Sequence, residues 1–236
     1  MKNTVMAAVC GLAVCAGSTI AGVFEPSGSM HGSSASAAAT APEGLAVDAA
    51  AAVEHALRAG DQAPLDAPFV DHDGKRHELR SLLAKGPVVL IFYRGGWCPF
   101  CIVSLKQFDE RRSAIEAMGA TILAVSGELP EHAKNTEEKS ELGFSVWTDE
   151  ALDAGQLFGV AYEFERGKRF LDEYQGEHSE RLPLGATYVI APDGTIAWSY
   201  IEENYKKRAS PDDVIAALGK IGGCAVGSHG RHRTQR

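Results

Sequence analysis

The spacing of apolar residues changes along the chain, and each change predicts a new element. The run "PVVLIFY" (87–93) is apolar throughout and rich in β-branched and aromatic residues. That is the pattern of a strand buried on both faces. "ATILAVS" (120–126) repeats it, and "FSVWTD" (144–149) is a shorter third strand. Between the first two strands, Ile102, Leu105, Phe108, Ile115 and Met118 fall at helical spacing with charges between them. They predict one helix opening at Cys98 and running to 119. "PEHAKNTEEKSELG" (130–143) and "EALDAGQLFG" (150–159) predict two more helices, and "LRSLLAKG" (79–86) a short one closed by Gly86.

Turn residues punctuate the rest. Asp73-Gly74 inside "APFVDHDGKRHEL" (67–79) and Pro192-Asp193-Gly194 inside "ATYVIAPDGTIAWSY" (186–200) each predict a hairpin. "SPDDVIAALGKI" (210–221) predicts the last helix, with Ser210 as N-cap, Pro211 first in the helix, and Asp212 and Asp213 in its first turn. Residues 161–183 are charged and irregular and predict an excursion from the core. The order of strands and helices, then a hairpin and a closing helix, predicts an α/β fold with a central mixed β-sheet flanked by helices.

The folded region spans 61–221 on this reading. Before it, "MKNTVMAAVCGLAVCAGSTIAGVF" (1–24) holds one Lys and no other charge before Glu25. A basic start, an apolar middle and small residues fit a secretory signal peptide, so an exported, periplasmic or extracytoplasmic protein is expected. A retained membrane anchor, or a start placed too early, are the alternatives. Val9 and Val14 precede the two cysteines of this run and disfavour lipidation. Residues 25–60, dominated by Ala, Ser, Gly and Pro, predict a flexible linker with a short helix in 52–60. Residues 222–236 predict a flexible tail.

The 236 residues carry a formal net charge of −8, which argues against a nucleic-acid partner, and the basic "GRHRTQR" end is short enough to read as a solvated tail.

The chemistry concentrates in "YRGGWCPFC" (93–101). Gly95 and Gly96 allow a sharp exit from strand to helix. Cys98 and Cys101 then fall in the first helical turn, where unpaired N–H groups and the helix dipole favour a thiolate. Arg94 adds a positive charge nearby. Spacing of three places the sulfurs on one face, within reach of a disulfide. Thiol–disulfide exchange or thiolate attack on an oxidant follows. A structural disulfide would close only a very small loop. A zinc site needs four ligands, and no second cysteine pair exists.

"GDQAP" (60–64), "FYRGGWCPFC" (92–101) and "TYVIAPDGTI" (187–196) together resemble the peroxiredoxin-like proteins of the alkyl hydroperoxide reductase/thiol-specific antioxidant group. The resemblance covers residues 60–220 and implies a thioredoxin-like sandwich. It implies Cys101 as the peroxide-reacting cysteine, which would become a sulfenic acid, and Cys98 as its resolving partner. Cys98 stands where these proteins usually carry Thr. The thioredoxin pattern, in which the first cysteine after Trp attacks, fits Trp97-Cys98 and swaps those roles. The resemblance implies an antioxidant peroxidase without cofactor or metal, a hydroperoxide substrate and a thioredoxin-like or small-thiol reductant, and it allows a homodimer. A thiol–disulfide oxidoreductase, or a binding module with a structural disulfide, are the alternatives. Two departures stand out. Arg94 replaces the usual Pro before the motif, and the activating Arg two residues before Thr187 would fall at Gly185.

Among other residues, Trp97 and Phe100 would shield the sulfurs and bind apolar substrate, or simply pack under the motif. Cys224, between glycines, is a spare tail thiol or a second resolving cysteine. His72, His77 and His132 are expected at the surface. The charged "EFERGKRFLDEYQGEHSER" (163–181) is a lid or docking loop, or a solvated face.

Overall fold

The computed structural model describes residues 45–164 and 168–224. The first elements are α1 (Ala49–His55), β1 (Pro68–Val70), β2 (Arg76–Glu78), α2 (Leu79–Leu83) and β3 (Val88–Phe92). There follow α3 (Pro99–Glu110), α4 (Arg112–Glu116), β4 (Thr121–Ser126), α5 (Pro130–Lys139), β5 (Ser145–Thr148) and α6 (Asp153–Leu157). The chain ends with β6 (Ala161–Glu163), α7 (Lys168–Gln175), β7 (Arg181–Pro183), β8 (Gly185–Ile190), β9 (Ile196–Glu202) and α8 (Pro211–Cys224).

Seven strands form one mixed sheet in the order β2-β1-β5-β4-β3-β8-β9. β3, β4 and β5 are parallel, and helices supply the crossovers that parallel neighbours need. β8 returns antiparallel beside β3, with Ile91 opposite Thr187, and β9 pairs antiparallel with β8. This is the mixed, helix-flanked sheet of the α/β expectation.

β3 is buried along its whole length, and its pleat divides the core. Val88, Leu90 and Phe92 enter one cluster with Leu79, Phe158, Tyr188 and Ile190. Val89, Ile91 and Tyr93 enter the other, with Leu105, Phe108, Ile115 and Val214. Cys98 and Cys101 belong to that second cluster.

Four stretches differ from expectation. The helix expected to run unbroken to 119 tightens at Arg111, whose N–H reaches the Phe108 carbonyl at 3.2 Å, and restarts as α4. Within the span 25–60 read as linker, residues from 45 onward belong to the fold. Asp48 caps α1 through Ala51 N–H at 2.9 Å, and Ala52, Ala56 and Leu57 are buried. Apolar Ala and Leu at helical spacing outweighed the linker-like composition. The irregular stretch 161–183 contains α7 and a small sheet of β6 and β7. Its charges masked Leu171, which is buried, and the Tyr162–Leu182 pairing. α8 runs on to Cys224, past the expected start of the tail. The signal-peptide reading, Cys10, Cys15 and the Cys224 side chain lie outside the described residues. Among the described residues, no helix is long and apolar enough to cross a membrane.

Candidate active site

β3 delivers the chain to the motif from the middle of the sheet. Tyr93 extends the pairing by one bond, its N–H meeting the Val125 carbonyl at 3.0 Å. Gly95 then takes φ +147°, and a Cβ there would collide with the Trp97 ring. Only glycine fits this turn. Cys98 is the N-cap of α3 with extended backbone, and Pro99 is the first helical residue. The Cys98 carbonyl accepts from Cys101 N–H at 3.0 Å and from Ile102 N–H at 3.1 Å.

Both cysteines are free thiols, Cys98 exposed by 2% and Cys101 by 0%. Cys101, Leu105 and Phe108 share the buried face of α3, so the helix that carries the sulfur is anchored by its own core residues. Burial of Leu105 and of Phe108 contributes about 1.5–3 kcal/mol each.

Arg208, in the loop between β9 and α8, donates from Nη2 to Cys101 Sγ at 2.9 Å. Its Nη1 donates to the Tyr205 and Lys207 carbonyls, each at 2.6 Å, which fixes the guanidinium in place. The sulfurs are coupled. Cys98 is lowered from the ordinary thiol value to about 6, first by accepting the Cys101 thiol hydrogen bond, then by Cys101 N–H and by the charges of Arg208 and Arg94, against the cost of burial. Cys101 is raised, first by donating that bond and then by burial, while Arg208 and the Arg94 N–H act to lower it. The pair therefore favours a single thiolate, with Cys98 held low and Cys101 held high.

Arg94 lies among aromatic rings, its Cζ 5.0 Å from the Trp97 centroid, 5.5 Å from Phe164 and 4.9 Å from Tyr205. Trp97 packs edge-on against Phe170 of α7 at 5.5 Å. Phe100 is 40% exposed and meets Tyr205 at 5.7 Å, so it forms an outer wall and does not pack under the motif. Arg94, Trp97, Cys98, Phe100, Tyr162 and Tyr205 line a cavity of about 610 Å³. On the other side of Trp97, a second cavity of about 440 Å³ is bordered by Glu128, His132 and Tyr174 and does not reach either sulfur.

Thr187 is buried on β8 beside Ile91, on the cysteine side of the sheet, and makes no hydrogen bond to either sulfur. The structure thus gathers Cys98, Cys101, Arg94 and Trp97, and leaves Thr187 as a neighbour. Surface placement of the histidines does not hold throughout. His77 is partly buried, pairs with Asp71 at 2.7 Å and stacks on Trp147, and His72 Nε2 meets the Val146 carbonyl at 2.7 Å. Among the described residues no cluster of His, Cys, Asp and Glu could hold a metal.

Two residues escaped the sequence reading. Arg208 sits in "YKKRAS", where nothing distinguishes it from solvated charge. Glu128 is 0% exposed, accepting from Gly96 N–H at 2.9 Å, Tyr93 hydroxyl at 3.2 Å and Ser126 hydroxyl at 3.2 Å. It ties the end of β4 to the turn before Cys98. Burial raises its carboxyl above the usual range, against those hydrogen bonds. A carboxylate directly after an apolar strand was the signal available for it.

Residues 59–199 match the AhpC/TSA family. The chain belongs to the AhpC/TSA family. Within it, this protein is 27% identical to peroxiredoxin Bcp of Escherichia coli K12 over 160 residues, 67% of this chain and 94% of that one. It is 28% identical over 139 residues to the chloroplastic peroxiredoxin Q of Populus jackii, covering 59% of this chain and 58% of that one. The fold is that of peroxidoxin BcpB from Mycobacterium tuberculosis, at a TM-score of 0.57 and 22% identity over 70% of this chain and 98% of that one. This AhpC/TSA protein is a thioredoxin-fold, thiol-dependent oxidoreductase, as the motif resemblance implied.

Proposed function

We propose that this protein reduces hydroperoxides through Cys101, with Cys98 closing an intramolecular disulfide. The observation that carries this reading is the 2.9 Å contact from Arg208 Nη2 to Cys101 Sγ. A charge-assisted hydrogen bond to sulfur favours the thiolate over the thiol. The thiolate attacks the terminal peroxide oxygen, the O–O bond breaks, and the alcohol leaves with a proton, giving Cys101 sulfenic acid. Cys98 then attacks that sulfur as thiolate, the S–S bond forms and water leaves. Two reducing equivalents from external thiol restore the pair. The N-terminal apolar run supports an exported enzyme, which cell fractionation with mass analysis of the mature N-terminus tests.

One observation favours the reverse order. Cys98 lines the cavity, Cys101 does not, and Cys98 is the thiol lowered to about 6. Both orders are tested in the full chain with Cys10, Cys15 and Cys224 changed to Ser. Cys98→Ser and Cys101→Ser are each given one equivalent of hydrogen peroxide, and sulfenic acid is trapped and weighed against time. Fast trapping at Cys101 in Cys98→Ser, with only free-thiol reactivity at Cys98 in Cys101→Ser, is expected. The opposite result assigns first attack to Cys98, and slow reaction in both ends the peroxidase reading.

A further inference from the structure

The cavity at Cys98 carries features that peroxide reduction leaves unused. Arg94 is held by three aromatic faces and meets the Tyr162 hydroxyl, a neutral partner that leaves its charge unbalanced. Its Nε is buried without a partner. Among the described residues no carboxylate stands within ion-pair distance of it. A partly desolvated guanidinium with no anion favours a carboxylate brought by a ligand. Glu203 lines the same cavity, is exposed, and likewise has no ion-pair partner among the described residues. The cavity thus offers a cation, an anion, aromatic walls and a sulfur. Its volume of about 610 Å³ falls in the range that holds small molecules, about 300–1,000 Å³.

The sulfur in the wall is Cys98. In the disulfide state, a nucleophile arriving through this cavity meets Cys98 and expels Cys101 as thiolate, towards Arg208. A thiol carried on a protein surface would have to reach a sulfur only 2% exposed between Trp97 and Phe100. A small thiol can lodge in the cavity that Cys98 lines and approach the sulfur from there.

We infer that this cavity binds the reductant, a small zwitterionic thiol of the amino-acid or short-peptide kind, with its carboxylate on Arg94 and its amino group on Glu203. The inference rests on the peroxidase reading for the disulfide that it reduces. The first thiolate attacks Cys98, forming a mixed disulfide as the Cys98–Cys101 bond breaks. A second thiolate attacks the ligand's sulfur, the small-molecule disulfide departs, and Cys98 is released as thiolate. Two thiols supply the two electrons.

The test uses the full chain with Cys10, Cys15 and Cys224 changed to Ser, oxidised by diamide so that no peroxide step is needed. Reduction by glutathione, by 3-mercaptopropionate (carboxylate only) and by 2-mercaptoethanol (neutral) is followed by acid quench, alkylation and mass. Rates are compared per thiolate. Glutathione is expected to exceed 2-mercaptoethanol by about tenfold or more, the gain of a charge-matched cleft. Arg94→Gln should bring the ratio of the glutathione rate to the 2-mercaptoethanol rate close to one, whatever it does to the neutral-thiol rate itself, and an unchanged far-ultraviolet circular dichroism spectrum shows that the variant is folded. Glu203→Gln, at an exposed position, should remove the advantage of glutathione over 3-mercaptopropionate. Equal rates for glutathione and 2-mercaptoethanol in the parent, or an advantage that survives in Arg94→Gln, would overturn the proposal. If diamide forms the disulfide and hydrogen peroxide does not, the peroxidase reading alone fails.

Discussion

The Arg208 guanidinium lies against the backbone of Gly185, where a Cβ would stand 2.8 Å from its Cζ and Nη1. Gly185 is the position at which the family resemblance implied an arginine. Here the strand position is empty, and a cation from the β9–α8 loop occupies the space and reaches Cys101. Gly185→Ala should therefore push Arg208 off the sulfur, and Arg208→Ala should remove it outright. A hydrogen bond to a charged group contributes about 1.5–3 kcal/mol, so sulfenic acid formation should slow by roughly tenfold to a hundredfold in either variant. The double variant Gly185→Arg with Arg208→Ala should recover part of the rate. Peroxide-dependent trapping by stopped flow measures all three.

The coupled thiols give a pH dependence with a definite sign. Cys98 falls from 9.0 to about 6 on folding, so its thiolate stabilises the fold. That stability is fully present above the unfolded value and is lost as pH falls through about 6. Ultraviolet titration of the reduced protein should show one thiolate forming near pH 6 and a second forming far higher. Cys101→Ala removes the hydrogen bond that is the largest cause, and the first step should move up towards the ordinary thiol value.

Glu128 accepts from three donors, the buried Tyr93 and Ser126 hydroxyls and the Gly96 N–H at the edge of the cavity of about 440 Å³. Glu128→Ala should cost about 1–3 kcal/mol for each buried group left unpaired, lessened by whatever water enters the adjoining cavity. Glu128→Gln keeps an acceptor for Gly96 and should be the milder change. Denaturant unfolding ranks the two, and the active-site turn should loosen in the Ala variant, seen as faster hydrogen exchange at Gly96.

Asp149 is buried after β5 and accepts from Ala154 N–H at 3.2 Å and Gly155 N–H at 2.8 Å. Burial raises it from 3.8 to about 7 despite those bonds. A raised folded value stabilises the fold below the unfolded pKa, and this contribution is lost as pH rises towards about 7. The melting temperature of Asp149→Asn relative to the parent should thus rise between pH 4 and pH 8. A flat difference over that range would count against a buried, titrating Asp149.

Much of this was legible in the sequence because the strongest signals were local. A continuous apolar run such as "PVVLIFY" has one good solution at that length, a doubly buried strand. Gly-Gly before Cys-Pro-Phe-Cys marks the strand-to-helix turn and the two sulfurs together. What was hidden was long-range. Arg208 reaches Cys101 across a sheet edge, and no periodicity in "YKKRAS" records that journey. Glu128 matters because it is buried, and burial of a carboxylate depends on Tyr93, Ser126 and Gly96 arriving from elsewhere. α7 escaped because its polar residues outnumber Leu171, the one buried apolar residue among its described side chains.

Cys101 is wholly enclosed and shares its cluster with Val89, Leu105 and Phe108. On the proposed reading, in which Cys101 reacts first, the reacting sulfur is also a piece of the core. Sulfenic acid adds one oxygen and is cleared when Cys98 closes the disulfide. Sulfinic acid adds a second oxygen and a lasting negative charge, in an interior packed as densely as an organic crystal. Overpacking alone costs about 1–3 kcal/mol, and an extra buried anion adds to it. Excess oxidant would thus damage the scaffold along with the reagent, and spent molecules would leave the folded population. On that reading, the working lifetime of the enzyme is set by how fast Cys98 arrives.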